Sequence, residues 1–198
     1  MSERKYTVAS IGPRIDQFLR PLIRRAGFRL DYDAAEGESV NPDFENPEVV
    51  VRFTGADVDL LLANKAELLL ALEHMTMEVM RMPSEDHSKI SFDAQDYRML
   101  RIEELRLSAG AAAEKVKRTG VPFKFNPMNS RERRVIHLSL RKEVEVRSES
   151  TGHGGYRQVV IYPAGMASLP EEAPPSAYPS AGRPPGRGRS RAQSRGRS

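Results

Sequence analysis

The segment NSRERRVIHLSL, residues 129–140, sets strong positive charge directly beside a core-forming pattern. Asn129 is followed three residues later by Glu132, a capping-box spacing that predicts a helix beginning here. Successive helical residues are rotated by about 100°, so Val135, Ile136 and Leu140 fall on one side, with Leu138 as the apolar outlier. The other side carries a basic cluster around one imidazole: Arg133, His137, Arg134 and Arg141.

This basic cluster is suited to phosphate. Arginine donates paired hydrogen bonds from its planar guanidinium, and histidine adds a donor or stacks on a base. An isolated Arg-x-x-x-His pair is nevertheless more often an ordinary solvated face of a helix, since the spacing is common. Features elsewhere in the sequence are needed to distinguish these two interpretations.

Residues 1–92 predict the order helix, strand, strand, helix, helix, strand. Apolar residues recur at helical spacing before Gly27, which is placed to end the first helix. Alternating and β-branched segments predict the strands, and a segment rich in leucine and methionine predicts a long helix. After Gly27 the segments are, in order, residues 28–33, 48–55, 56–64, 65–82 and 89–94.

Residues 93–163 predict a helix from Tyr97 to Arg118 capped by Asp93 or Asp96, a short extended piece, the basic helix and two strands. The glycines of TGHGG, residues 151–155, allow a tight return between these strands. The basic residues in the front half of the first of these helices are expected to face solvent: Arg98, Arg101 and Arg106.

Charge is divided unevenly along the 198 residues. Residues 1–91 hold 11 Lys and Arg against 16 Asp and Glu, whereas residues 92–163 hold 14 against 9. From Ala164 onward arginine, glycine, serine and proline dominate, with little apolar surface to bury. We therefore expect an α+β fold class with two small α/β domains, at residues 1–92 and 93–163, and a disordered tail at residues 164–198.

Several function classes find no support in the sequence. The chain has no cysteine, which excludes disulfides and thiolate metal sites and favours a reducing compartment. It has no phosphate loop, no Gly-x-Ser-x-Gly and no histidine pair at metal spacing, so neither an enzyme nor a cofactor is predicted. No apolar run predicts a signal peptide or a membrane span, so we expect a cytoplasmic protein without membrane insertion.

Two longer segments favour the phosphate interpretation: PMNSRERRVIHLSL, residues 127–140, and SESTGHGGYRQVVIYP, residues 148–163. Together they resemble the R-three-H nucleic-acid-binding domain, named for its Arg-x-x-x-His motif, which Arg133 and His137 fill. The preceding FDAQDYRMLRIEEL resembles the linker and first helix of one bacterial family, the Jag-type (SpoIIIJ-associated) RNA-binding proteins. In that family a type II KH domain comes first, and the element order of residues 14–94 fits it.

This resemblance implies single-stranded RNA as the ligand, and small KH-domain proteins as partners in the control of cell shape. By the same resemblance Ser148, Ser150 and Arg157 lie near the phosphate site, although an ordinary hairpin also explains them. Lys124 and Arg131 are predicted to extend the basic surface.

The first half departs from the KH pattern at its nucleic-acid loop. A KH domain grips the backbone with Gly-x-x-Gly, because glycine lets phosphates approach without a Cβ in the way. The matching residues here are Ala63, Asn64, Lys65 and Ala66. Excess negative charge in this half also repels a polyanion, so we predict a scaffold or protein-contact module. The opposing interpretation is weak RNA contact through Lys65, with Arg52 or Arg81 nearby.

The long helix of the first half holds more apolar side chains than one helix face can bury. The surplus is a candidate surface for a homodimer or for a small KH-domain partner. The sequence as a whole predicts a regulatory protein that binds single-stranded RNA, with DNA as a possible second ligand. The alternative is a protein-interaction adaptor whose arginine-rich tail supplies weak, nonspecific binding to nucleic acid.

Overall fold

The computed structural model describes residues 4–38 and 42–170. Along the chain come α1 (Val8–Ala26), β1 (Leu30–Glu36), β2 (Val49–Gly55), α2 (Val58–Val79), β3 (Ile90–Ala94), α3 (Tyr97–Thr119), β4 (Phe123–Lys124), α4 (Ser130–Ser139), β5 (Val146–Thr151) and β6 (Gln158–Pro163). Short 3-10 turns at Ser84–Lys89 and Gly154–Tyr156 precede β3 and β6. The predicted α+β class is confirmed. The two helices predicted at residues 56–64 and 65–82 are joined in α2, which has non-helical backbone at Ala63–Ala66.

The first sheet has the order β1-β2-β3, with β1 antiparallel and β3 parallel to β2. Parallel neighbours need a crossover, which α2 supplies. One face of the sheet packs against α1 and α2 and is filled by alternating residues such as Val51, Phe53 and Phe92. As predicted, α1 ends at Gly27, whose φ of 74° is a left-handed conformation that glycine adopts without steric cost.

The second sheet has the order β4-β6-β5 and is antiparallel throughout. Its β6 residues Val159 and Ile161 are 0% exposed and belong to a second buried cluster, which α3 and α4 cover. The remaining buried members of that cluster are Ile102, Leu105, Ala109, Ala112, Ala113, Val116, Val135, Ile136, Leu140 and Val146.

Both helices of the second half begin with side-chain caps. In α4 the side chain of Asn129 accepts from Glu132 N–H at 2.9 Å, and the Glu132 carboxylate accepts from Asn129 N–H at 3.1 Å, so the predicted capping box is confirmed. In α3 it is the Asp93 carboxylate that accepts the N–H of Arg98, at 3.1 Å. The side chain of Asp96 makes no capping hydrogen bond.

A buried carboxylate joins the two halves. Glu73 of α2 is 6% exposed, and its two oxygens contact guanidinium groups from α3 and α4. Arg98 pairs with Oε2, which also accepts the N–H of Phe92 at 2.7 Å, and Arg131 Nη1 lies 3.1 Å from Oε1. We call Glu73, Arg98 and Arg131 the seam cluster. All three ions also have hydrogen bonds to the backbone, which offset the cost of removing them from water.

The expectation that the front half of α3 faces solvent is wrong for Arg98 and Arg101. Their side chains are 12% and 15% exposed, because Arg98 reaches the seam cluster and Arg101 Nε donates to Glu132 at 2.6 Å. Arg106 is exposed, as expected, and its guanidinium lies 5.6 Å from the ring centroid of Phe44. The sequence pattern of one helix does not reveal a carboxylate that another element supplies.

The loop between β1 and β2 crosses to the second half. Phe44 packs against the second buried cluster, and Glu45 lies 3.0 Å from Arg98 Nη1. The contact between the halves is therefore both apolar and ionic, and it involves two separate segments of the first half.

The predicted disordered tail, residues 164–198, lies outside the described residues from 171 onward. Its first residues contact the second sheet: Arg147 Nη2 donates to the carbonyl of Met166 at 2.7 Å, and Tyr162 Oη accepts from Leu169 N–H at 3.3 Å. Among residues 4–38 and 42–170, no helix is long and apolar enough to cross a membrane.

Replacing Glu73 by Gln should destabilise the protein by about 3 kcal/mol, because Arg131 loses the carboxylate it pairs with and the buried Arg98 keeps only Glu45. Urea denaturation followed by circular dichroism measures the effect. The control is Glu67→Gln, an exposed glutamate on the same helix. Equal midpoints for the two variants would contradict a structural role for the seam cluster.

Candidate nucleic-acid interface

The helix α4 holds His137 against the strand β5. Its Nδ1 lies 2.8 Å from Ser148 Oγ and its Nε2 lies 2.9 Å from Ser150 Oγ. The two serines alternate along β5, so both hydroxyls emerge on the same face of the sheet. With both ring nitrogens hydrogen-bonded, the imidazole has a fixed orientation between helix and strand.

The surroundings of His137 favour its neutral form. Burial lowers the pKa of the imidazole, and the positive charge of Arg133 lowers it further. In a neutral imidazole one nitrogen donates and the other accepts. The two serine hydroxyls can rotate to match either tautomer, so both contacts are satisfied without a charge on the ring.

Arg133 lies one helical turn before His137 and is only partly exposed. Its Nε is buried without a hydrogen-bond partner, and burial together with the charge of Arg157 lowers the pKa of its guanidinium. In the described part of the chain no carboxylate lies within ion-pair distance of Arg133 or Arg157. Two neighbouring cations without a counter-ion form a site for an anion.

The β5–β6 turn brings Arg157 to the start of α4. The carbonyl of Arg157 accepts from Met128 N–H at 3.0 Å, just before the helix. This turn depends on Gly152, whose φ is 88° and where an added Cβ would lie 2.8 Å from the carbonyl oxygen of Tyr156. A larger residue at this position would displace Arg157 from the site.

Tyr156 belongs to the same turn and was missed in the sequence. It precedes Arg157, and its side chain is 59% exposed. An exposed aromatic ring next to a phosphate-binding cation is a typical platform for a nucleobase. The signal that would have identified it was available: a tyrosine in a glycine-rich turn, directly before a candidate arginine.

The other predicted basic residues are not all brought together. Arg134 and Arg141 are exposed on or just after α4, next to the site. Arg131 points the other way, with Nη2 donating to the carbonyl of His87 at 2.6 Å and Nη1 paired with Glu73. Lys124 pairs in register with Val160, whereas Ser148 pairs with Ile161, so Lys124 lies on the opposite face of the sheet from the serines.

The loop that departs from Gly-x-x-Gly keeps an unusual backbone. Asn64, Lys65 and Ala66 have φ values of 52°, 62° and 60°, a left-handed region that residues with a Cβ seldom adopt in succession. The carbonyl of Lys65 accepts from Tyr97 Oη at 2.9 Å, which ties the loop to the start of α3. The loop therefore has the left-handed backbone that glycine would favour. Its side chains, however, add Cβ atoms that restrict the approach of a phosphate to that backbone.

The depressed pKa of His137 makes stability depend on pH. The unfolded chain, with an ordinary histidine pKa near about 6.5, takes up the proton first, so the free energy of unfolding should decrease as pH falls through that value. His137→Gln should flatten this dependence between pH 8 and pH 5, measured by urea denaturation. His74→Gln, at an exposed position of α2, serves as the control for replacing a histidine outside this site. A wild-type slope in His137→Gln would contradict the assignment.

The chain is similar to known proteins over part of its length. The R-three-H domain model matches residues 103–163. Three bacterial proteins named RNA-binding protein KhpB align with the chain. The protein of Clostridium symbiosum is 32% identical over 123 residues, which cover 62% of this chain and 55% of that protein. The proteins of Bacillus subtilis and Lactiplantibacillus plantarum are 32% identical over 110 residues and 27% identical over 144 residues.

The Bacillus subtilis alignment covers 54% of this chain and 53% of that protein, and the Lactiplantibacillus plantarum alignment covers 73% and 42%. The chain thus spans about half the length of the curated relatives it matches. The match includes the helix that carries Arg133 and His137, the strand that carries Ser148 and Ser150, and the turn that carries Arg157. The predicted resemblance is confirmed as a similarity: residues 103–163 match the R-three-H domain, and the chain is similar to three proteins named KhpB.

Proposed function

We propose that this protein binds single-stranded RNA through the surface formed by Arg133, His137 and Arg157, with Ser148 and Ser150 orienting the imidazole. The observation that carries the proposal is the pair of neighbouring guanidinium groups that lack a carboxylate. The names of the three relatives, all RNA-binding proteins, support RNA over other polyanions. The role is regulatory binding without catalysis.

The phosphate contact follows from the site's electrostatics. Most of the partly buried arginines elsewhere in the described chain pair with a carboxylate: Arg98, Arg101, Arg131 and Arg147. Arg133 lacks such a partner and carries an unused donor, so a phosphate oxygen would satisfy it while relieving repulsion from Arg157. The negative charge of a bound phosphate also favours the protonated imidazole, and so offsets the effect of burial on the pKa of His137.

Specificity for a single strand follows from Tyr156. A base in a duplex has its faces covered by its neighbours, whereas an unpaired base can stack on an exposed ring. Because Tyr156 directly precedes Arg157, a nucleotide whose phosphate meets Arg157 has its base within reach of the tyrosine ring. The domain would then bind the backbone and one base with adjacent residues of one turn.

The first half acts as a scaffold in this proposal. Its edge strand β3 is covered from outside, since the carbonyl of Phe92 accepts from Arg98 Nε at 2.6 Å and that of Ile90 accepts from Arg131 Nη2 at 3.2 Å. The Ala63–Ala66 loop is anchored by Tyr97 at its Lys65 carbonyl. These contacts occupy backbone carbonyls of β3 and of the loop, and the pair of Arg131 with Glu73 fixes the start of α4 to the first half.

Arg133→Ala should weaken the binding of a ten-nucleotide oligouridylate by about 10- to 100-fold, since one charge-assisted hydrogen-bonding group is lost. Fluorescence anisotropy at two salt concentrations measures it. Arg118→Ala, which removes an exposed arginine from the end of α3, is the matched control and should change affinity little.

A chain ending at residue 170 separates the folded surface from the arginine-rich tail. We expect it to retain binding and to lose only a salt-sensitive part. If removal of the tail abolishes binding while Arg133→Ala has no effect, the adaptor with an electrostatic arm is the correct function.

Tyr156→Trp makes a direct reporter, because the chain contains no tryptophan. Stacking of a base should quench its fluorescence during titration with oligouridylate. Inorganic polyphosphate, which offers phosphates without bases, is the control and should bind without quenching. Tyr156→Leu should weaken oligouridylate binding by about 1–3 kcal/mol. Equal quenching by both ligands would contradict base stacking.

One observation favours an additional protein partner. Met75 and Val79 lie one turn apart on α2, and their side chains are 41% and 56% exposed. They are part of the predicted apolar surplus, and they lie away from Arg133. A homodimer or a small KH-domain protein would cover them, and light scattering of wild type and Val79→Glu distinguishes a dimer from a monomer.

A further inference from the structure

A second concave site lies where the two halves meet. A cavity of about 180 Å³ is bordered by the loop before β2, by residues 88–91 at the start of β3, and by α4. We call it the seam cavity. None of the residues of the proposed RNA surface, Arg133, His137 and Arg157, lines it.

The floor of the seam cavity contains an unsatisfied hydroxyl. Ser91 is 3% exposed, and its Oγ makes no hydrogen bond within the described residues. Ser91 pairs in register with Val50, on the face of the first sheet that points away from α1 and α2. Buried hydroxyls in folded proteins are nearly always hydrogen-bonded, so an unpaired one beside a cavity indicates a missing partner.

The remaining walls combine apolar and polar groups. Phe44, Pro42 and Pro47 form an apolar side, and the Asn46 amide and Ser88 hydroxyl add donors and acceptors. The cations differ in their availability. Lys89 is paired with Glu48 at 2.7 Å and Arg131 with Glu73 at 3.1 Å. Arg134 is exposed and has no carboxylate within ion-pair distance in the described chain, so it is the cation open to an anionic ligand.

These groups match one nucleotide. A nucleobase needs an apolar wall and a few hydrogen-bonding groups for its edge, and its phosphate needs a cation at the mouth of the cavity. Arg134 directly follows Arg133 in α4 and lies about 100° around the helix from it. The seam cavity and the proposed phosphate site therefore share the helix α4.

We propose that the seam cavity binds one nucleotide, with its base against Phe44 and Ser91 and its phosphate at Arg134. In an RNA complex this nucleotide would belong to the strand held at Arg133, and that part of the inference rests on the proposed function. A free mononucleotide has the same chemistry and is the other source of the ligand. The first half would then contribute to nucleotide binding through its contact with α4, independently of the Ala63–Ala66 loop.

The test is heteronuclear NMR of the full chain with two probes, uridine 5′-monophosphate and the ten-nucleotide oligouridylate, followed at the amides of Phe44, Ser88 and Ser91. Binding in the cavity shifts these amides, and Ser91→Ala weakens the response about five-fold, as expected for one lost hydrogen bond. The conservative Ser91→Thr retains the hydroxyl and should retain most of the response. Arg134→Ala should reduce it, and Arg118→Ala should not.

The variant Arg133→Ala distinguishes a nucleotide of the bound RNA strand from a free mononucleotide. If the oligonucleotide shifts the cavity amides only while Arg133 is intact, the nucleotide belongs to the bound strand. If the mononucleotide shifts them equally in wild type and Arg133→Ala, the cavity binds a free nucleotide. If the oligonucleotide binds at Arg133 but neither probe shifts the cavity amides, the seam-cavity proposal is overturned while the proposed RNA binding stands. If the oligonucleotide fails to bind, the proposed function is wrong. The cavity proposal then stands if the mononucleotide shifts the cavity amides and falls if it does not.

Discussion

The carboxylate of Glu73 is the contact on which the arrangement of the two halves depends. It lies on α2 of the first half and receives Arg98 from α3 and Arg131 from α4. Without it, Arg131 would lose the carboxylate it pairs with and Arg98 would keep only Glu45 at the edge of β3. The same contact fixes the first turn of α4, only two residues before Arg133. A residue of the first half thus supports the surface that we propose for RNA.

The local elements could be predicted from the sequence, because the residues that define each of them are close together in the chain. The capping box of α4, the end of α1 at Gly27 and the alternating strand β6 each depend on residues within a few positions of one another. The arginines of α3 did not follow, since Arg98 and Arg101 are buried by carboxylates from α2, α4 and the β1–β2 loop. Ion pairs of long sequence separation leave no periodic signal.

The candidate site was predicted in outline. The basic side of α4 lies where helical geometry put it, but the hydrogen bonds of His137 to two serines require the register of β5 against α4. Arg131 was assigned to the RNA surface by its charge alone, and its contacts with Glu73 and the carbonyl of His87 place it at the seam instead. Tyr156 was missed because its position next to Arg157 gains meaning only when the turn is seen beside α4.

Imidazole NMR during titration with oligouridylate would show whether RNA binds at His137. The chain has four histidines, so each ring can be followed separately. We expect the His137 ring resonances to shift with the dissociation constant found by anisotropy, and the pKa of His137 to rise on binding. The ring resonances of His74 and His87 in the first half should stay in place. Saturation with RNA while the His137 resonances stay in place would contradict the account.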